Sequence, residues 1–419
     1  MDEFTYTRDA RAAHTESYVF HQLIPYLGNK RKLLGLIRDA IAATGARPGD
    51  RFLDLFAGSG VVARMAKRLG FAVLANDWEP YAEAINRCSI AADRPPPFAA
   101  LGGYEAALDT LNRLPPREGW VARHLCPADD ACYDPARERL FYTRANGMAI
   151  DAMREQIAAW ARAGAINGLE EACLLAPLLY QACYTSNTSG VFKGFHHGWG
   201  GRTGTALYRI LAACTLRPAL FHDNGLRHEV RRVDAEALAR ELAAAGEPVK
   251  LAYLDPPYNQ HPYGSNYHVL NTIALWDAPP LSERIEGRNK AAIREDWRTA
   301  RRSAYNHRGE AEWAFVALLD ALRAEFILTS YSTDGLIPLE RLVAACAARG
   351  HTTVALQSYK RYRVSAQRYS PKPLNVEFVL IVDTARRHAG PEPAAIAAAI
   401  RNAEAAALTR YHGEGGGLG

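Results

Sequence analysis

The sequence predicts an α/β fold in which helices cover both faces of a largely parallel sheet. Three observations predict it. A strand–loop–helix–strand–helix run occupies residues 51–90. A strong apolar strand ends at Asp255 in a Pro-Pro corner. Helical and strand-like stretches alternate again from 310 to 383. Alternation of this kind marks strands joined by crossover helices.

Lys30 to Ala43 reads as a helix, with Leu33, Leu34, Ile37 and Ile41 on one face. RPGD turns the chain into the short apolar strand RFLDLF. After AGSG, VVARMAKRLG is a helix stopped by Gly70. FAVLAND is the next strand and WEPYAEAINRCSI the next helix. Residues 134–165 and 169–184 are helical in pattern. TSNTSGVFKGFHHGWGGRTG then changes texture, and its Gly, Ser, Thr and His suit a shaped binding loop. One helix is expected over RRVDAEALARELAAAG, followed by the strand VKLAYLD. EAEWAFVALLDALRA and ERLVAACAARG are helices, FILTSY, TTVALQSY and NVEFVLIVD strands. An Ala-rich helix and the tail HGEGGGLG end the chain.

The 419 residues hold 50 basic and 45 acidic side chains, a net charge of +5. That mild excess permits a nucleic-acid partner without demanding one. Seven cysteines are scattered without any CxxC, so free thiols in a reducing compartment are expected, although Cys126 and Cys132 are near enough to pair. No DxH or HExxH accompanies His196 and His197, and no metal site is expected. The N-terminus is too polar for a signal peptide and no apolar run is long enough to span a membrane. A cytoplasmic location is the expectation.

Three motifs carry the chemistry. DLFAGSG at 54–60 puts a carboxylate at a strand end, then a loop in which Gly58 and Gly60 let the backbone approach a ligand. GxGxxG and GxxxxGK[ST] are both absent, which argues against a dinucleotide or P-loop enzyme. Asp77 ends the second strand, where an acid suits a pair of ribose hydroxyls or caps the next helix, and Trp78 offers an aromatic face. PYLGNK at 25–30 precedes this unit, and its Lys30 suits the carboxylate of an amino-acid-like cofactor. AYLDPPYN at 252–259 is the sharpest signal. Asp255 ends the strand, Pro256 and Pro257 stiffen the backbone, and Tyr258 follows at once.

PYLGNK, DLFAGSG and DPPY, in that order and with a long middle region before DPPY, resemble the Dam-like, alpha-class N6-adenine DNA methyltransferases over residues 18–380. The resemblance implies a Rossmann-like class I S-adenosylmethionine-dependent methyltransferase sheet with an inserted target-recognition region. It implies S-adenosylmethionine as cofactor, held by Tyr26, Asn29, Lys30, Asp54, Phe56, Gly58, Gly60, Asp77 and Trp78. Asp129, beside Asp130 in HLCPADD, is the candidate for the acid that meets the cofactor adenine. Asp255, Pro256, Pro257 and Tyr258 would hold a flipped adenine. An exocyclic amine is a poor nucleophile because its lone pair is delocalised into the ring. A carboxylate and a carbonyl that accept its two N–H groups favour attack, and a tyrosine face stacks the base. Asp at the head of the tetrad points to adenine, where N4-cytosine enzymes often carry Ser. Ser330 and Tyr331 would lie near the pocket floor.

The implied partner is double-stranded DNA. Lys193, His197 and Arg202 in the middle loop, Tyr267 after the catalytic loop, and Lys360, Arg361, Arg363 and Arg368 in the basic segment KRYRVSAQRYSPK are the candidate DNA contacts. Arg209, Arg217, Arg227, Arg231 and Arg232 are candidates for base reading. Residues 18–184 are expected to form the cofactor half with a helical insertion. The recognition region is placed at 185–247, the catalytic half at 248–385, and a helix and tail at 386–419. The charged stretch 281–312 reads as a mobile surface segment or an ordinary solvated one. A monomer or weak dimer is expected, and a separately encoded restriction enzyme is a candidate partner. The alternatives are an RNA methyltransferase acting on an exocyclic amine and a non-catalytic nucleic-acid-binding protein on the same fold.

Overall fold

The apolar strands read from the sequence pair side by side in one sheet. A computed structural model describes residues 18–204, 206–281, 285–360, 374–386 and 390–413. Among these, seven strands form the sheet: β1 (Arg51–Asp54), β2 (Ala72–Asn76), β3 (Glu229–Arg231), β4 (Val249–Leu254), β5 (Ala324–Ser332), β6 (His351–Lys360) and β7 (Leu374–Asp383). Their order is β3-β2-β1-β4-β5-β7-β6. The first five in that order are parallel, and β7 runs antiparallel between β5 and β6. This is the sheet of a class I methyltransferase fold.

Central parallel strands are buried on both faces, so they read as continuous apolar runs. Helices Ala235–Ala244, Ala311–Ala321, Leu339–Ala347 and Pro393–Gly413 flank the sheet, and one face packs Leu53, Leu74 and Leu254 against Leu238, Phe315, Leu342 and Ile400. On the other, Phe52, Val73 and Tyr253 pack against Ile37 and Val62 of helices Leu34–Ala43 and Val61–Arg68. A third core lies in the middle region. Helices Arg144–Arg162 and Gly168–Tyr184 bury Ile150, Ile157, Leu174 and Leu178 there, and helix His268–Leu275 adds Leu270 and Ile273. Asn167 and Glu170 form a capping box at the start of Gly168–Tyr184, satisfying donors that the first turn leaves open.

β3 is absent from the sequence reading, which runs one helix from 231 to 246 and places 185–247 in a recognition region. Residues 229–231 instead pair parallel with β2, and the helix starts at Ala235 under the cap of Asp234. Only Val230 of the three is apolar, so this short edge strand has no alternation to betray it. His228 ties the returning chain to the sheet, its Nδ1 3.1 Å from the Val73 backbone nitrogen. Lys30 opens a short 3-10 turn rather than the helix itself, which begins at Leu34. No helix among the described residues is long and apolar enough to cross a membrane.

The order of strands reverses between β1 and β4, and the carboxyl ends of β1, β2 and β4 share one edge. Crevices at such a reversal are where open α/β sheets bind ligands. Gly60 begins the helix after β1 with φ +79°, and a Cβ there would lie 2.4 Å from Asn86 Oδ1. Asn86 is buried and donates to the Gly58 and Ala82 carbonyls, so it cannot step aside. Gly60→Ala should therefore destabilise the fold by about 2–4 kcal/mol in denaturant unfolding. Gly45→Ala, at φ +69° in open space, should cost only about 1 kcal/mol.

Candidate active site

Asp54 is 1% exposed beneath the Gly-rich loop, and its Oδ1 accepts the Phe56 N–H at 3.4 Å. Burial, and next the charge of Asp255, push its carboxyl well above the usual range. Asp77 ties the loop to the tip of β2. Its Oδ2 accepts the Gly58 N–H at 2.7 Å and its Oδ1 the Glu79 N–H at 2.9 Å. Gly58 has φ +51°, and a Cβ there would sit 2.8 Å from the Tyr26 ring. Tyr26 in turn stacks against Tyr263 and Tyr267, with ring centroids 5.0 and 5.1 Å away. The glycine thus lets an aromatic stack close against the loop.

A cavity of about 270 Å³ opens at this edge. The expected residues Tyr26, Phe56, Asp77, Trp78, Asp255 and Pro257 line it. Val233, Asp234, Arg301 and Tyr305 line it too and were not expected. Five acids (Asp77, Glu79, Asp234, Glu236 and Asp255) face two arginines, Arg301 and Arg302, in the lining. Aromatic walls with an acidic excess suit a flat ligand that carries positive charge.

The catalytic corner lies beside this cavity. Lys30 Nζ is 3.0 Å from Asp255 Oδ1 and 3.6 Å from Glu377 Oε2, with Lys30 only 3% exposed. Burial works against the ammonium, but the two carboxylates outweigh it and raise its proton affinity well above the ordinary value. Burial lifts the Asp255 carboxyl and Lys30 pulls it back, leaving it at about 6. The Lys30 ammonium also lies 5.2 Å from the Tyr258 ring centroid, and Tyr258 packs edge-on against Tyr331 at 5.8 Å. Ser330 and Tyr331 are buried on β5.

Several expected roles do not match the placement. Asp129 is on an exposed turn away from the cavity, accepting the Ala131 N–H. Asp234 stands in the cavity wall instead, where the chain leaves β3. An acid just past a third strand was the available signal, but β3 itself was unseen. Asn29 caps the 3-10 turn through the Arg31 N–H. The Lys30 ammonium is committed to two protein carboxylates rather than left for a ligand. Tyr267 is fully buried, accepting the Leu27 N–H at 2.8 Å, so it is part of the stack under Tyr26 and offers no face to DNA.

Among the other candidates, Lys193 is exposed and its Nζ lies 3.5 Å from His261 Nδ1, next to the catalytic loop. His197 is exposed beside Lys290, at 3.1 Å. Arg202 is exposed on a separate groove with Tyr180, Tyr184 and Thr188. Arg209 is spent on the carbonyls of Tyr184, Ser186 and Thr188, Arg231 on Glu241, and Arg232 on Glu83. Lys360 ends β6, where its backbone pairs with Leu374. Arg361, Arg363 and Arg368 lie outside the described residues.

The charged stretch after the catalytic loop is not a free surface segment. Arg294 grips Asp277 with two 2.7 Å hydrogen bonds, and Arg301 to Asn306 form a wall of the cavity. Arg301 reaches Glu79 Oε2 at 3.0 Å, and Asn271 donates to the same oxygen at 2.6 Å. Burial raises the Glu79 carboxyl to about 7 despite those two partners. Because its folded value lies above the ordinary carboxylate range, Glu79 costs stability as pH rises from the usual value to about 7, and Arg301 offsets part of that. Arg301 thus latches the ionised Glu79, and Arg301→Ala should cost about 1 kcal/mol more stability at pH 8 than at pH 6. Thermal unfolding at both pH values measures this, and equal losses would disprove the latch.

The family model for D12 class N6 adenine-specific DNA methyltransferases matches residues 26–284. The chain is 32% identical over 340 residues to the type II methyltransferase M.NlaIII of Neisseria lactamica, covering 81% of this chain and 92% of that protein. It is 29% identical over 347 residues to the modification methylase LlaI of Lactococcus lactis subsp. lactis, covering 80% of this chain and 51% of that protein. Over 347 residues it is 27% identical to the type II methyltransferase M.FokI of Planomicrobium okeanokoites, covering 83% and 50%. The chain therefore spans nearly all of the first relative and about half the length of the other two. With a class I sheet, a DPPY corner and a family match over more than half its length, the chain belongs to the D12 class N6 adenine-specific DNA methyltransferases.

Proposed function

We propose that the chain transfers the methyl group of S-adenosylmethionine to N6 of an adenine flipped out of duplex DNA at a specific site. The observation that carries this reading is Asp255, which lines the acidic cavity and pairs with Lys30 at the tip of β4. When bound, S-adenosylmethionine supplies an electrophilic methyl group on a positively charged sulfur. The cavity fits it: five acids meet the charge, Phe56, Trp78 and Tyr305 supply flat apolar walls, and Gly58 leaves room for Tyr26. Asp77 and Asp234 are the acids at the ends of β2 and β3, placed for the hydroxyls and the base of a nucleoside.

Asp255, ionised at neutral pH, accepts one N–H of the adenine amine. The Pro256 carbonyl accepts the other. Both contacts strengthen as nitrogen becomes positive, which lowers the barrier without an enzyme-bound intermediate. With the cofactor bound, the nitrogen–carbon bond would form as the sulfur–carbon bond breaks, leaving S-adenosylhomocysteine, and the proton lost by the amine would pass by way of Asp255 to solvent. Tyr258 stacks on the base, which cannot be reached inside the duplex. Lys193, beside His261, is placed for the phosphate backbone at the same mouth. One such site modifies one strand at a time, as a monomer or weak dimer. The relatives' names as type II methyltransferases support a role as the modification partner of a separately encoded restriction enzyme.

Incubation with a labelled methyl donor and unmethylated duplex DNA, then digestion to nucleosides, should place the label in N6-methyladenine. Label in N4-methylcytosine would overturn the base, and no label despite cofactor binding would overturn catalysis on DNA. Asp255→Ala should lower kcat by roughly 10²–10³-fold. Because the carboxyl stands at about 6, kcat should fall as pH drops below that value and the acceptor is protonated.

A further inference from the structure

We propose that Glu377 is a positioning residue for methyl transfer, holding the Lys30 ammonium so that Asp255 keeps its place and is not fully neutralised by Lys30. The inference rests on the reading of Asp255 above. Glu377 sits on β7, flanked by β5 and β6, between Val376 and Phe378, which are fully buried. It is itself 7% exposed, and the Lys30 ammonium lies 3.6 Å from it. A carboxylate inside a sheet is costly to desolvate, and an apolar residue would serve packing alone as well or better. Its placement has a use in the chemistry, however.

Lys30 alone, pointed at Asp255, would neutralise the carboxylate that has to accept an amine proton's hydrogen bond. Glu377 divides that ammonium between two carboxylates. The trio then carries an excess negative charge at the floor of the site. That excess becomes favourable when positive charge arrives on the amine. Glu377 also fixes the ammonium from behind, on the side of the sheet where β7 lies, so the oxygen of Asp255 is held from a rigid strand rather than from the loop alone. The other charged or titratable groups facing the Asp255–Lys30 pair are Asp54 from β1, Tyr253 from β4, and Tyr258 and Tyr263 from the loop and turn beyond it. The charge of Glu377 raises the proton affinity of Asp255. Removing it must lower that affinity, whereas removing the charge of Lys30 must raise it.

The test is Glu377→Gln, which keeps the shape and deletes the charge, with Glu377→Asp as the conservative rescue and Lys30→Gln as the opposing change. Glu377→Gln should reduce kcat roughly 10- to 100-fold with KM for cofactor and DNA within about twofold, the pattern of a lost supporting contact. The acid limb of its kcat profile should move to lower pH, that of Lys30→Gln to higher pH, and Glu377→Asp should recover most of the rate. An unchanged kcat and acid limb in Glu377→Gln would overturn the proposal. So would a loss of rate that follows thermal stability while the acid limb stays put. If Glu377→Gln does not fold, Glu377→Met, which deletes the charge without leaving a buried polar group, takes its place, and an unchanged kcat and acid limb there would overturn the proposal. Asp255→Asn separates the two readings. Full activity in that variant sinks the role of Asp255 itself, while an inactive Asp255→Asn beside a neutral Glu377→Gln sinks only the positioning role.

Discussion

A lysine ammonium enclosed between two carboxylates sets the terms for the rest of this site. Lys30 comes from the turn before the first helix, Asp255 from the end of β4 and Glu377 from the middle of β7. None of the three charges is stable in a protein interior by itself. Each strand position is therefore tied to the others: β4 and β7 have to flank β5, and the turn at Lys30 has to close over their edge. The same edge gathers Asp54, Asp77 and Asp234, so the sheet ends in a row of acids. Backbone N–H groups, Lys30 and Arg301 absorb part of that charge.

The helical lobe solves a second problem, that of holding an aromatic stack beside the Gly-rich loop. Tyr26, Tyr263 and Tyr267 lie nearly face to face, and their hydroxyls at 263 and 267 bond the Leu27 backbone. Tyr267 leads directly into helix His268–Leu275, whose Leu270 and Ile273 pack into the lobe. Asn271 of that helix and Arg301 of the cavity wall meet on Glu79. The cavity wall, the helix after the DPPY corner and the start of the helix after β2 are thus joined at one buried carboxylate. A displacement of the lobe has to pull on the wall of the cavity.

Much of this was legible from local pattern. AYLDPPY and DLFAGSG are dense, short-range signals, in which strand end, turn chemistry and reactive side chain lie within a few residues. The main strands were readable for a related reason: burial on both faces forces continuous apolar runs. What escaped was non-local. β3 has three residues and one apolar side chain, and it is a strand only because β2 lies beside it. Asp234, just past β3, lines the cavity but stands in a stretch that reads as helix, whereas Asp129 is on an exposed turn. Tyr267 looked like a base contact because it follows the catalytic loop, and its burial depends on where Tyr26 and Tyr81 fold.

The sequence by itself carried the family, because a carboxylate, two prolines and a tyrosine at one strand end are a motif held together by covalent neighbours. It also determined the α/β class through the spacing of apolar residues. Which charges meet was decided only by the tertiary structure. Lys30 and Glu377 are 3.6 Å apart in space and lie near opposite ends of the chain, and Arg301 reaches Glu79 across most of it. Pair energies between charges depend on distance and burial, and neither is encoded in any window of residues.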